Sequence, residues 1–218
     1  MRSDEDPRFV RSRQALFSAA TDLVESGERV AQLRVTDVAR RAGVSRPTFY
    51  QHFADVPDLV GAAALDRMQR AFARIPQVAL GESWTVYAHR TFHSLLTDVE
   101  RDSAFYTAVL TDARQPLVTA LVQALAARLL EESPLGPVIR RRGGADEPAE
   151  RAQFLAAGVL WHVASWITQP APSREPVDTV VERLADLLLG ASGATPQEIA
   201  AVRDERRLAG TASGVDPE

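Results

Sequence analysis

The chain contains no cysteine. That excludes disulfides, zinc–thiolate sites and a cysteine nucleophile, and it fits a reducing compartment. Lysine is missing too, so all 25 basic residues are arginine. Arginine and lysine serve equally well on most solvated surfaces, which makes this chiefly a composition bias. Its physical consequence is that every fixed positive charge is a planar fork able to grip a phosphate in a bidentate way. A long hydrophobic run is also lacking. The longest mostly apolar stretch, residues 154–168, falls short of the ~20 residues that span a bilayer, and it contains His162. The opening MRSDEDPRF is acidic, so no signal peptide is expected. The expectation is a cytoplasmic protein with no membrane partner.

Catalytic furniture is equally scarce. There are four histidines, no phosphate-cradling glycine loop and no pair of carboxylates that stands out. No enzyme and no cofactor are expected. His89 and His93 share a helical face by spacing, but the intervening RTF lacks the glutamate of a zinc-protease helix. A solvated or core histidine pair is the reading, with no metal.

What remains is 218 residues, 45% apolar, enough for one large domain or two small ones with a real core. Net charge is −4 but unevenly placed. Residues 1–53 hold nine arginines and seven acids; residues 54–218 hold sixteen arginines and twenty-two acids. Only the N-terminal part is basic.

Apolar residues recur at helical spacing almost throughout, and no segment alternates with period two. The fold class expected is all-α. Helices are expected over 7–26, 57–74, 83–100, 103–112, 115–132, 149–168 and 175–190. A last one is expected at TPQEIAAVRDERRL, capped by Thr195. Residues 133–149, rich in Pro, Gly and charge, read as a mobile loop.

Residues 36–53, TDVARRAGVSRPTFYQHF, form the informative segment. Two short helices flank a tight turn at Gly43. Thr36 and Ser45 stand as N-caps, and Pro47 sits in a first turn where its missing N–H costs nothing. Val38, Ala39, Ala42 and Val44 face inward. Phe49 and Phe53, four apart, anchor the second helix from behind. Arg46, Pro47, Thr48, Tyr50, Gln51 and His52 stay at the front or at the leading end. An apolar back and a polar front are what a recognition helix in a major groove needs. Arg46 suits a guanine edge, Gln51 adenine, and Thr48 a base or a thymine methyl. Tyr50 and His52 suit phosphates, as do the N–H groups and hydroxyl at Thr36. The bland alternative is a helical hairpin with a polar face, used as a protein–protein adaptor.

The stretch VTDVARRAGVSRPTFYQHFADVPDL resembles the DNA-binding signature of the TetR (tetracycline-repressor-like) regulators. The resemblance covers residues 10–60, with Ala-Gly-Val-Ser and Thr-Phe-Tyr-x-His-Phe at the right spacing. One departure is Val56, where the family usually carries a phosphate-binding lysine.

The resemblance implies a DNA-binding domain over 1–56 and a helical ligand-binding and dimerisation domain over 57–210. Residues 211–218 are left as a frayed tail. It also implies a homodimer on a near-palindromic double-stranded operator. The last two long helices would form the interface, with Ala156, Ala157, Leu160 and Ala164 on one and Val177, Val181, Leu184 and Leu188 on the other; the same residues could simply pack within one subunit. A small-molecule effector is implied as well, its pocket candidates being Trp84, Tyr87, Phe92, Phe105, Tyr106, Trp161 and His162. Those aromatics can equally fill a solid core. Few charges fall on the presumed inner faces, so the effector would be largely apolar, and its binding would release DNA.

Overall fold

A computed structural model describes residues 6–77, 82–111, 114–141, 147–195 and 197–198. Among them are ten α-helices and no strand. They are α1 (Pro7–Glu25), α2 (Val35–Ala42), α3 (Arg46–His52), α4 (Val56–Ala73) and α5 (Trp84–Arg101). Then follow α6 (Ser103–Thr111), α7 (Gln115–Glu131), α8 (Gly136–Arg141), α9 (Glu147–Ile167) and α10 (Val177–Ala191). The all-helical expectation holds. No helix among the described residues is long and apolar enough to cross a membrane.

The chain divides into two compact units, one of residues 1–72 with 99–120, the other of residues 73–98 with 121–218. The division does not fall at residue 56, where the resemblance put it. The reason lies in the apolar face of α1. Leu16, Phe17, Ala20 and Val24 are buried there, and their cover includes Val60, Ala63 and Ala64 from α4 and Phe105 and Val109 from α6. Three short helices could not bury that face alone. Arg67 of α4 lies over the Phe105 ring at 4.5 Å and pairs with Glu25 and Asp102, tying α4 to α1 and to the start of α6.

Local chemistry sets the ends of the first helices. Asp6 caps α1 by accepting from the Arg8 amide at 2.8 Å, with Pro7 in the first turn. Gly27 ends it at φ +94°. At α4 two aspartates cap reciprocally: the Asp58 amide donates to Asp55 Oδ1 at 2.8 Å, and the Ala54 amide to Asp58 Oδ2 at 3.0 Å.

The second unit buries Trp84, Tyr87 and Ala88 of α5 against Leu129, Leu135, Ile139, Leu155, Ala185, Leu188 and Leu189. Residues 133–149 are not one loop, because α8 occupies part of them. Pro137 sits in the first turn of α8, where proline is tolerated, and Leu135 and Ile139 are fully or nearly fully buried. Burial of Leu135 and Ile139 outweighs the Pro and Gly breakers there. Residues 142–146 lie outside the described residues, as does the 211–218 tail. Of the expected final helix, only its cap is described. Thr195 Oγ1 accepts from the Glu198 amide at 3.3 Å, and Glu198 accepts from the Thr195 amide at 2.7 Å. That amide, together with Arg141, holds the Glu198 carboxyl down to about 2.

Candidate nucleic-acid interface

Helices α2 and α3 lie in the first unit and are joined by a turn built on Gly43. Its φ of +66° lies in the left-handed region, which a side chain resists. The Val44 amide donates to the Ala39 carbonyl at 3.0 Å across the turn, closing α2. Ser45 then caps α3: its hydroxyl accepts from the Thr48 amide at 3.2 Å and contacts the Thr48 hydroxyl at 2.8 Å. The short helix is held from behind. Phe49 is fully buried and Phe53 nearly so, their rings 6.1 Å apart, with Phe53 also 5.7 Å from Phe17 of α1. Burying one such ring is worth about 1.5–3 kcal/mol.

The other side of α3 faces solvent. Arg46, Pro47 and Gln51 are exposed, Tyr50 is 53% exposed, and Thr48 is half-buried beside its cap. Arg46 carries no ion pair among the described residues. Arg40 and Arg41 of α2 are engaged, with Asp37 at 2.7 Å and Asp22 at 3.0 Å. The free fork therefore stands at the leading end of the exposed face.

Two residues sit differently from the sequence reading. Thr36 is no N-cap, because α2 begins at Val35, two residues earlier than expected, and Arg34 holds the capping position without a side-chain bond. Thr36 is exposed in the first turn, where its amide still lacks a helical acceptor. His52, read as a phosphate contact, turns inward. Its Nε2 lies 2.7 Å from the Ser12 hydroxyl of α1 and its ring 4.0 Å from Phe9. Burial and, second, the Arg13 charge hold its pKa below the usual 6.5. Ser12 and Phe9 gave no signal in the sequence, since contacts across forty residues leave no local pattern.

Val56, where the resemblance leads one to expect a lysine, is buried in the core of this unit. The acid before it, Asp55, is held below the usual carboxylate range by the Asp58 amide first and by Arg114, 2.8 Å away, second.

The seven aromatic and histidine pocket candidates do not converge. Phe105 and Tyr106 pack in the first unit's core. Trp84, Tyr87 and Phe92 pack in the second unit's core, where the Trp84 indole donates to the Ala185 carbonyl at 3.1 Å. Trp161 is 72% exposed, and His162 beside it is half-buried. None lines the open groove of about 380 Å³ in the first unit between Pro57, Gly61 and Leu65 of α4 and Pro116, Leu117 and Ala120 of α7. Charge is also less remote from the second unit's interior than the sequence suggested. The Arg128 side chain is only 11% exposed, and its charge acts on buried Tyr87. For that phenol burial is the larger influence and raises its pKa.

The interface candidates divide too. Ala156, Val181, Leu184 and Leu188 are buried within one subunit, while Leu160, Ala164 and Val177 are half-buried. The exposed apolar face of α9 lies one step round, at Phe154, Ala157, Gly158 and Trp161, and α10 adds Leu187. Spacings of three, four and seven put the α9 residues in one stripe. The same periodicity that pointed to 156, 160 and 164 fits 154, 157, 158 and 161 equally well, and only the partner decides. His89 and His93 stack 5.6 Å apart and lie 4.0 and 3.5 Å from Asp178, as an exposed cluster. Among the described residues no group of three or more such side chains could hold a metal ion.

Comparison with known proteins follows the same division. Residues 30–63 match the family described as Bacterial regulatory proteins, tetR family. A curated relative, the uncharacterized HTH-type transcriptional regulator YxbF of Bacillus subtilis (strain 168), is 34% identical over 55 residues. That segment is 25% of this chain and spans only 14% of the relative. Among solved structures, a TetR transcriptional regulator from Rhodococcus sp. RHA1 superposes with a TM-score of 0.61 at 22% identity, covering 85% of this chain and 97% of that one. The TetR family repressor AlkX from Dietzia sp. strain DQ12-45-1b, implicated in biodegradation of n-alkanes, gives 0.57 at 20% identity over 83% and 94%. At such identities the likeness is one of fold.

Proposed function

We propose that this chain, whose residues 30–63 match the tetR family of bacterial regulatory proteins, is a sequence-specific DNA-binding transcriptional regulator that works as a homodimer. The observation that carries this is α3, anchored by Phe49 and Phe53 and presenting Arg46, Tyr50 and Gln51 to solvent. Arg46 and Gln51 read base edges in the major groove, and Thr48 joins them from the cap. Tyr50, the Ser45–Pro47 end of α3 and the first turn of α2 at Thr36 set the register on phosphates.

One seven-residue helix reads only a few base pairs. Two copies related by a two-fold axis read half-sites separated by whole turns, about 10 base pairs or a multiple, and the operator is near-palindromic. The exposed stripe of Phe154, Ala157, Gly158 and Trp161, with Leu187, supports α9 and α10 as the faces that pair. Large rings left in water on one stripe mark an association surface. The regulator acts as a repressor, and a small, largely apolar effector bound by the helical region releases it from DNA.

Binding to the DNA upstream of the chain's own coding region, followed over a salt series, tests the core of this reading. Phosphate contacts predict a steep, linear loss of log affinity with log salt. The absence of a sequence-specific shift at low salt would leave a helical adaptor as the better account. An effector that binds while operator affinity stays unchanged would remove the release step alone.

A further inference from the structure

Ser12 on α1 and His52 at the end of α3 meet at 2.7 Å. The Ser12 hydroxyl has a single proton, and it goes to the Phe9 carbonyl at 2.9 Å. Toward His52 the same oxygen can then only accept. In that arrangement the imidazole carries its proton on Nε2, which leaves Nδ1 as a bare lone pair. That atom is buried and has no hydrogen-bond partner among the described residues. The ring is covered by Phe9 at 4.0 Å and flanked by Phe53 at 5.9 Å.

A second proton would have to sit on Nδ1, where nothing accepts it. The charged groups of the surrounding elements give no relief. Arg13 on α1 repels a cationic ring. Arg46, at the other end of α3, is itself a cation. Asp55 and Asp58 are committed to the α4 cap and to Arg114, and Asp6 to the Arg8 amide.

The geometry points to His52 as the positioning residue of the DNA-reading helix: as a neutral Nε2–H donor to Ser12 it pins the end of α3 to α1, and a second proton, which leaves that donor in place but puts an unsatisfied N–H and a charge at buried Nδ1, favours the ring turned out to water and so loosens the pin. This rests on the reading of α3 as the recognition helix. It gives His52 the opposite pH signature to a phosphate contact. A histidine on phosphate binds better as it becomes cationic; a neutral pin binds worse.

The folded-state pKa lies below the ordinary value of 6.5. Folding stability is therefore complete above the unfolded value and declines as pH falls from there to the folded pKa. Operator affinity stays flat until the folded pKa is reached, then falls about tenfold per pH unit.

The test uses the full chain and a duplex that it selects from a random-sequence library. Fluorescence anisotropy at constant salt, titrated from about pH 7.5 down through the imidazole pKa that the NMR arm measures, should show in the wild type an acid loss of affinity approaching tenfold per pH unit below that pKa. His52→Gln keeps an N–H donor and does not titrate, so its profile should be flat. Ser12→Thr should behave as wild type. Nitrogen NMR of the imidazole should show the Nε2–H tautomer and a pKa below 6.5. Affinity that rises on acidification, a profile unchanged in His52→Gln, or an Nδ1–H tautomer would each overturn the pin. If no duplex is selected, the recognition-helix reading has failed, and the NMR arm alone still decides whether the pin exists.

Discussion

The helix pairs α2–α3 and α9–α10 carry the two halves of the proposed function, yet they are specified differently. The first pair is short, and its ends are written in adjacent residues. Gly43 takes the left-handed turn and Ser45 caps the next helix. With seven residues in α3, Phe49 and Phe53 leave only one face to bury. The second pair is long, with 21 and 15 residues, and has apolar side chains most of the way round. Its buried stripe is chosen by what packs against it. Short elements are fixed by local chemistry, long apolar ones by their partners.

The sharpest way to break this comparison is to remove an anchor from the first pair. Phe49→Ala should cost about 3–5 kcal/mol of stability, the usual toll for deleting a fully buried ring. Denaturant unfolding would measure it, and operator binding should vanish with it. A loss under ~1 kcal/mol would mean that α3 is held chiefly by its cap and turn.

In the second pair the contrast is between stripes. Leu184→Ala, on the buried stripe, should cost about 2–5 kcal/mol of stability. Trp161→Ala, on the exposed stripe, should leave the unfolding of one subunit almost unchanged. It should instead weaken self-association by about 2 kcal/mol or more if Trp161 is an interface anchor. Sedimentation equilibrium separates the two. Loss of self-association in a folded Leu184→Ala, with none in Trp161→Ala, would restore the stripe first expected from the sequence.

These contrasts also show where the sequence was legible. The all-α class, the two short helices and the Phe49–Phe53 anchor are local or periodic features, and both can be read from neighbours. His52 could not be, because its role depends on Ser12, forty residues away. Nor could the fate of the aromatics. Trp84 satisfies its indole on a carbonyl of α10, and Phe105 serves a core built around α1. Spacing reveals that a ring will be buried but not which helix will bury it. The cap expected at Thr36 lies two residues earlier, at Arg34, which begins α2 without a side-chain bond.

On the exposed face of the first pair the effects are smaller. Arg46→Ala should leave the unfolding midpoint unchanged, since the side chain is exposed and has no ion pair among the described residues. It should weaken operator binding by roughly 1–3 kcal/mol and relax preference at one base position. If affinity falls equally for all sequences and the salt slope drops by about one, Arg46 holds a phosphate instead.

Ser45 lies where fold and function overlap, and two substitutions separate them. Ser45→Ala removes the acceptor of the Thr48 amide and the partner of the Thr48 hydroxyl, both at the leading end of α3. Loss of such a cap should cost about 0.5–2 kcal/mol. Ser45→Asp keeps a capping oxygen, and its charge suits a helix N-terminus, so stability should hold or improve by a few tenths of a kcal/mol, the scale of ~0.3–1 kcal/mol for a charge at a helix end. The same carboxylate would face the phosphates of a bound duplex. Operator affinity should therefore fall in Ser45→Asp while the unfolding curve does not move, and the fall should shrink as salt is raised. Equal affinity in wild type and Ser45→Asp at low salt would mean that this end of α3 does not approach the DNA backbone, and the docking of the helix would have to be turned around.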